Sequence, residues 1–230
     1  MILRPMEHQK CYYSQFGQDG VLEYIFENIK PASKTFVEFG SSGTDEGQGN
    51  TIWLRKQHGW TGWLMGSEKN DKSIYPVHIE KINHLNVENV FHRLGIPQEF
   101  GLLSIDIDGQ DYWVWKAIEY FRPNVVCIEF NVNFRLDESV SVPCDPSFRY
   151  GGNMYYGASL SAMASLGARK DYWPVAVVGS DIVFASEETL SRHDLANHPF
   201  EEPDYNLHHG THRITIPMRK QLESYEWVEV

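Results

Sequence analysis

The sequence predicts an α/β chain built on a mostly parallel sheet with helices on both faces. Three observations predict it. Short apolar, β-prone runs alternate with amphipathic helical runs, the pattern of strand–helix–strand units. Those runs are apolar almost throughout, as strands buried on two faces are. The last two are joined by only two residues, Gly179-Ser180, so the sheet closes on an antiparallel hairpin.

The elements follow in order. Val21, Leu22, Ile25, Phe26 and Ile29 mark one buried helical face, started at Asp19-Gly20 and ended by Pro31. Thr35 to Phe39 is a short buried strand running into glycines. Asn50 or Thr51 caps a helix carrying Ile52, Trp53 and Leu54 that stops near His58-Gly59. Gly62 to Met65 reads as a second strand and Pro76 to Glu80 as a weaker third. Asn86 caps a short helix with Val90, Phe91 and Leu94, closed by Gly95 and Pro97. A strong strand spans Leu102 to Asp108, a helix Tyr112 to Tyr120 broken by Pro123, and another strand Val125 to Phe130. A helix around Leu160, Met163 and Leu166 ends at Gly167, and Val175–Val178 with Asp181–Phe184 form the hairpin.

Two stretches lack regular patterning. Residues 131–156 form a long connection rich in Pro, Gly, Asp and aromatics, the kind that serves as a substrate loop or lid. Residues 187–230 read as an irregular C-terminal extension, and residues 1–34 as a helical N-terminal segment of the same single domain.

At 230 residues the chain is long enough for a core that needs no metal or disulfide staple. Its three cysteines show no paired spacing, and Cys127 lies inside an apolar run, so a disulfide framework or cysteine zinc site is not expected. A formal net charge of −11 argues against nucleic acid and anionic membrane as partners, since phosphate neutralisation needs clustered Lys and Arg. With neither a secretory leader pattern nor an apolar run of membrane-spanning length, a cytoplasmic location is expected. The aromatic N-terminal segment, with Tyr12-Tyr13, offers a surface for a homodimer contact.

In open α/β sheets ligands bind at the carboxyl ends of the strands, where strand order reverses. Those ends here are Glu38-Phe39-Gly40, Met65-Gly66, Asp106 with Asp108-Gly109, and Glu129-Phe130-Asn131. Three of the four carry an acid, which suits a positively charged sulfonium cofactor bearing a ribose. Gly40 and Gly43 allow close backbone approach to such a ligand, or serve only a tight strand-to-helix turn. A diphosphate cofactor prefers bare helix N-termini, and the Gly-x-Gly-x-x-Gly fingerprint is absent.

Ser14 to Gly20, Phe36-Val37-Glu38-Phe39-Gly40, Leu103 to Trp113 and Tyr156-Gly157-Ala158-Ser159-Leu160 together resemble the FkbM-type branch of S-adenosylmethionine (SAM)-dependent methyltransferases. The similarity spans about Ser14 to Ser186, and Ser104-Ile105-Asp106-Ile107-Asp108-Gly109 is its most specific piece. The resemblance implies a Rossmann-like class I methyltransferase fold, SAM as cofactor, and O-methylation of a hydroxyl on a small molecule or sugar. It puts Glu38 and Gly40 at the methionine end of the cofactor, and Asp106 and Asp108 beside the transferred methyl as the catalytic candidates; Ser41, Gly43 and Asp106 complete the expected cofactor contacts. Such enzymes commonly hold the ribose with an acid at the second strand end. Gly66 stands there instead, and either Glu68 substitutes after a shift of the loop or the ribose is held otherwise.

A more distant resemblance, to metal-dependent sugar O-methyltransferases related to macrocin methyltransferase, brings in a divalent cation. Asp106, Asp108, Glu129 and Asn131 offer the hard oxygen ligands that magnesium takes. Asp108-Gly109 also reads as plain turn chemistry and Asp111 as a helix cap. His208, His209 and His212 are either a solvated surface or part of a metal site lacking identified further ligands. With His193 and His198 of the same tail, they join Asp106 and Asp108 as candidate general bases. Phe148, Tyr155, Tyr156 and Trp113 form either an aromatic wall over the acceptor or an anchor for the long loop. The competing readings are a scaffold or partner protein that keeps the fold without turnover, and a nucleotide-dependent oxidoreductase.

Overall fold

A computed structural model describes residues 2–46, 49–193, 195, 200–201, 203 and 216–230. Its main sheet contains β1 (Thr35–Phe39), β2 (Thr61–Gly66), β3 (Val77–Ile79), β4 (Glu99–Ile105), β5 (Arg122–Glu129), β7 (Tyr172–Val178) and β8 (Asp181–Ser186). The helices are α1 (Gln18–Asn28), α2 (Ile52–His58), α3 (Val87–Leu94), α4 (Asp111–Ala117), α5 (Leu160–Arg169), α6 (Glu187–Arg192) and α7 (Ile216–Glu223). A second sheet pairs β6 (Val140–Ser141) with β9 (Val228–Glu229).

The strand order is β3-β2-β1-β4-β5-β8-β7. Every pairing from β3 to β5 is parallel, and β8 runs antiparallel to both its neighbours. This is the Rossmann-like arrangement expected, with the antiparallel strand inserted between β5 and β7 rather than lying at the edge. Because side chains alternate along a strand, each central strand feeds two cores. Phe36, Leu102, Val125 and Cys127 pack with Val21, Leu22 and Ile25 of α1, Leu54 of α2 and Leu190 of α6. Val37, Leu103, Val126 and Ile128 pack on the other face with Phe91 of α3, Trp115 of α4 and Met163 of α5.

Several boundaries differ from the sequence reading. β4 stops at Ile105, because the Asp111 carboxylate accepts the amides of Ile107 (2.9 Å) and Gly109 (2.8 Å) and turns the chain. α4 stops at Ala117, and the half-buried Glu88 carboxylate takes the next free amides, those of Glu119 and Tyr120. β5 begins at Arg122 and runs through Pro123, whose missing N–H falls before pairing with β8 starts at Val125. α5 continues past Gly167 to Arg169. That glycine lies against Phe184, where a Cβ would stand 2.4 Å from the ring. Neither Asn50 nor Thr51 caps α2 with its side chain. The extension expected to be irregular holds α6, α7 and β9. Among the described residues no helix is long and apolar enough to cross a membrane.

Candidate functional site at the strand switch point

Strand order reverses between β1 and β4, so the crevice lies where Gly40 and Asp106 leave the sheet. Gly40 has φ +76°, and a Cβ on it would stand 1.9 Å from the Asp106 carbonyl oxygen. Only glycine allows the two strand ends to close together this tightly. Asp108 itself is left-handed, at φ 54°. Turn chemistry is therefore present at Asp108, yet its carboxylate also joins a cluster. One ligand-type oxygen each of Asp106, Asp108 and Glu129 lies within 4.8 Å of the other two.

A cleft of about 800 Å³ opens from this point, lined by Gly40, Ser41, Glu68, Asp106 and Asp108 among others. Behind it a smaller cavity of about 210 Å³ is lined by Glu38, Asn50 and Ser104 and shares Gly40, Ser41 and Asp106. Gly43 borders neither. Its φ of +71° lets it lie against β3, where a Cβ would stand 2.4 Å from Val77 Cγ2. Glu129 lies outside both linings and enters only through its approach to the two aspartates. His198, His208, His209 and His212 lie outside the described residues.

The second strand end explains its own missing acid. A Cβ at Gly66 would stand 2.7 Å from the Ser41 carbonyl oxygen, so no side chain fits there. Glu68, two residues on and exposed, does reach the cleft.

Glu38 is committed to the fold as much as to the cavity. Its carboxylate accepts the Thr51 hydroxyl at 2.6 Å and the Thr51 amide at 3.3 Å, docking the start of α2. Burial outweighs these bonds and pushes its carboxyl above the usual range. Nearby, Asp181 accepts from Gln18 Nε2 (2.7 Å) and Asn50 Nδ2 (3.4 Å), and Asn50 also reaches Ser104 Oγ at 3.2 Å. This polar network under the cavity was not singled out from sequence. Gln18 lies in the Ser14–Gly20 run that carried the family resemblance, which was the available signal. Asp181 read only as the start of a strand.

Acids outnumber bases around the cleft. Burial, then the charges of Asp181, Asp111, Asp108 and Glu38, push Asp106 well above the ordinary carboxyl range, although the residue is exposed to the cleft. Burial raises Asp108, and takes Asp111 to about 6. Glu129 is raised by burial and then by Asp106, and its Oε2 is shielded from solvent without a hydrogen-bond partner. Three bases also line the cleft, and the carbonyl bonds of Lys81 and Arg149 leave their charge in place. Lys81 donates to the carbonyls of Pro146 and Phe148, Lys69 pairs with Asp71, and Arg149 bonds the carbonyls of Ser147 and Phe148.

The long loop forms the far wall, contributing Pro146, Phe148, Arg149 and Tyr150. Gln110 Nε2 and Trp113 Nε1 anchor it through the carbonyls of Pro143 and Val142. Of the four aromatics named from sequence, Phe148 lines the cleft, while Trp113 is an anchor. Lys81, which fastens the loop, carried no recognisable signal in the sequence, whereas Gln110 lies in the Leu103–Trp113 run that carried the family resemblance. Neither a scan against protein-family models nor a search of curated proteins gives a match for this chain.

Proposed function

We propose that the chain is a SAM-dependent methyltransferase that methylates a hydroxyl on a small molecule or sugar. The observation that carries this reading is the cleft at the β1/β4 switch point, where unpaired carboxylates gather around the Gly40–Asp106 approach. Such a pocket favours a ligand with positive charge and hydroxyls over a phosphate-bearing one. The cofactor supplies an electrophilic methyl group on a sulfonium.

The chain's own residues have three tasks. Gly40 and Ser41 give backbone access to the cofactor, and Glu68 accepts from the ribose hydroxyls in place of an acid at position 66. Asp106 lines the cleft, where a bound sulfonium would favour its ionised form and be offset by it. Asp108, left-handed at the turn beside Gly109 and facing the cleft, takes the proton from the acceptor hydroxyl. The loop wall aligns the acceptor for in-line displacement.

The same acids fit a hard divalent cation such as magnesium. The supporting observation is the orphaned Glu129 Oε2 beside Asp106 and Asp108. These three would hold the ion, which would lower the cost of ionising an acceptor hydroxyl.

Transfer of labelled methyl from SAM into a fractionated metabolite extract tests the reading. Wild-type protein should label a product, and Asp106→Ala and Asp108→Ala should each lower the rate by about 100-fold or more. Labelling indifferent to both substitutions would refute the assignment.

A further inference from the structure

Two independent routes of contact lead from the C-terminal segment to the turn that carries Asp108. The first is backbone. β9 pairs with β6, Val230 N donates to Ser139 O at 3.2 Å, and Ser139 Oγ donates to Val230 O at 2.7 Å. The other side of β6 is held by residues 157–159. Val142 N donates to Gly157 O (3.0 Å) and Ser159 N to Val140 O (2.8 Å). Gly157 N in turn donates to Gly109 O at 3.1 Å.

The second route is aromatic. Trp227 meets Phe134 edge-on at 4.6 Å between centroids and Tyr155 at 5.1 Å. Tyr225 stacks on Tyr155 at 4.8 Å, and the Tyr155 hydroxyl donates to Glu226 O at 2.7 Å. Tyr155 packs on Phe148 at 5.8 Å. Phe148 lies so close to Gly109 that a Cβ there would stand 2.3 Å from the ring. Both routes end at Gly109, the neighbour of Asp108, and the second passes through the cleft-lining Phe148.

We propose that residues 225–230 are a strap that positions the acceptor loop, with Trp227 and Tyr155 acting through Phe148 on the wall facing Asp108. A two-residue strand such as β6 has little stability of its own, so its place depends on what flanks it. β9 supplies one flank, and the stacked rings fix the loop tip. Trp227 and Tyr155 are positioning residues. Their effect on acceptor binding rests on the methyltransferase reading, whereas their effect on loop order does not.

Hydrogen exchange on wild type, Trp227→Ala and Trp227→Phe tests the strap. The amides of Val142, Gly157 and Ser159 should exchange about tenfold faster or more in Trp227→Ala, and recover in Trp227→Phe, with β4 and β5 amides unchanged. In the methyl-transfer assay, Trp227→Ala should need about tenfold more extract for half-maximal rate, while half-saturation by SAM stays within about threefold. Unchanged loop exchange, or loop and core loosening together, would overturn the proposal. So would equal losses for extract and SAM. A wild-type protein that transfers no methyl refutes the reading of the cleft instead, and the exchange experiment still decides the strap.

Discussion

Gly40 and Asp106 approach so closely that a single added carbon on Gly40 would meet the Asp106 carbonyl oxygen at 1.9 Å. The left-handed φ of +76° adds a second penalty for any side chain there. Gly40→Ala is therefore expected to cost about 2 kcal/mol or more of stability, read by urea denaturation, and to remove cofactor binding. A variant as stable as wild type would mean that the two strand ends do not meet in this way.

Thr51 supports the same floor from behind. Thr51→Val keeps the shape but removes the hydroxyl that bonds the buried Glu38 carboxylate. Leaving that oxygen without the bond should cost about 1–3 kcal/mol in chemical denaturation. No loss of stability would show that Glu38 finds another partner and does not dock α2.

Glu129 sets a pH dependence. Burial and its acidic neighbours raise its folded pKa above the unfolded value, so the folded chain holds a proton that the unfolded chain has released. Its contribution is unperturbed below about pH 4.5, grows steadily more unfavourable as pH rises above that, and levels off at the folded value of about 11. Asp111, taken to about 6 by burial, acts in the same sense between about pH 4 and 6. Glu99 and Glu138, held down by Arg192 and Arg219, act oppositely and lose their stabilisation as pH falls. The difference between variant and wild type isolates Glu129. Glu129→Gln should gain about 1 kcal/mol or more over wild type at pH 8, and no measurable amount at pH 4. A stability difference that is the same at both pH values would contradict this.

Position 66 offers a test of how a ribose is held. An acid restored there, Gly66→Asp, meets the Ser41 carbonyl and should destroy cofactor binding rather than improve it. Glu68→Gln should weaken binding of the demethylated cofactor by about tenfold in calorimetry, the loss of a charge-assisted bond. Undiminished affinity would move the ribose contact elsewhere in the cleft.

The sheet was legible because most of its strands are apolar runs, and of the acids at the strand ends Asp106, Asp108 and Glu129 do lie together. Less visible was what each acid does. Asp111 looked like a helix cap, but it spends its carboxylate on Ile107 and Gly109, cutting β4 short and presenting Asp108. Glu38 looked like a cofactor ligand and is also tied to Thr51, a residue close in sequence but on another element. Gly43 fits the strand-turn pattern as well as Gly40 does, and only the position of Val77 shows that its space is taken by β3. Contacts between distant segments, such as Trp227 on Tyr155 or Lys81 on Phe148, leave no periodic trace in a sequence.

Calorimetry with the demethylated cofactor, S-adenosylhomocysteine, set against NAD under the same conditions, bears most directly on the cleft. One molecule should bind per chain with micromolar affinity, lost in Gly40→Ala, and NAD should not compete. No heat at millimolar S-adenosylhomocysteine, or tighter binding of NAD, would contradict the assignment of this cleft to a sulfonium cofactor.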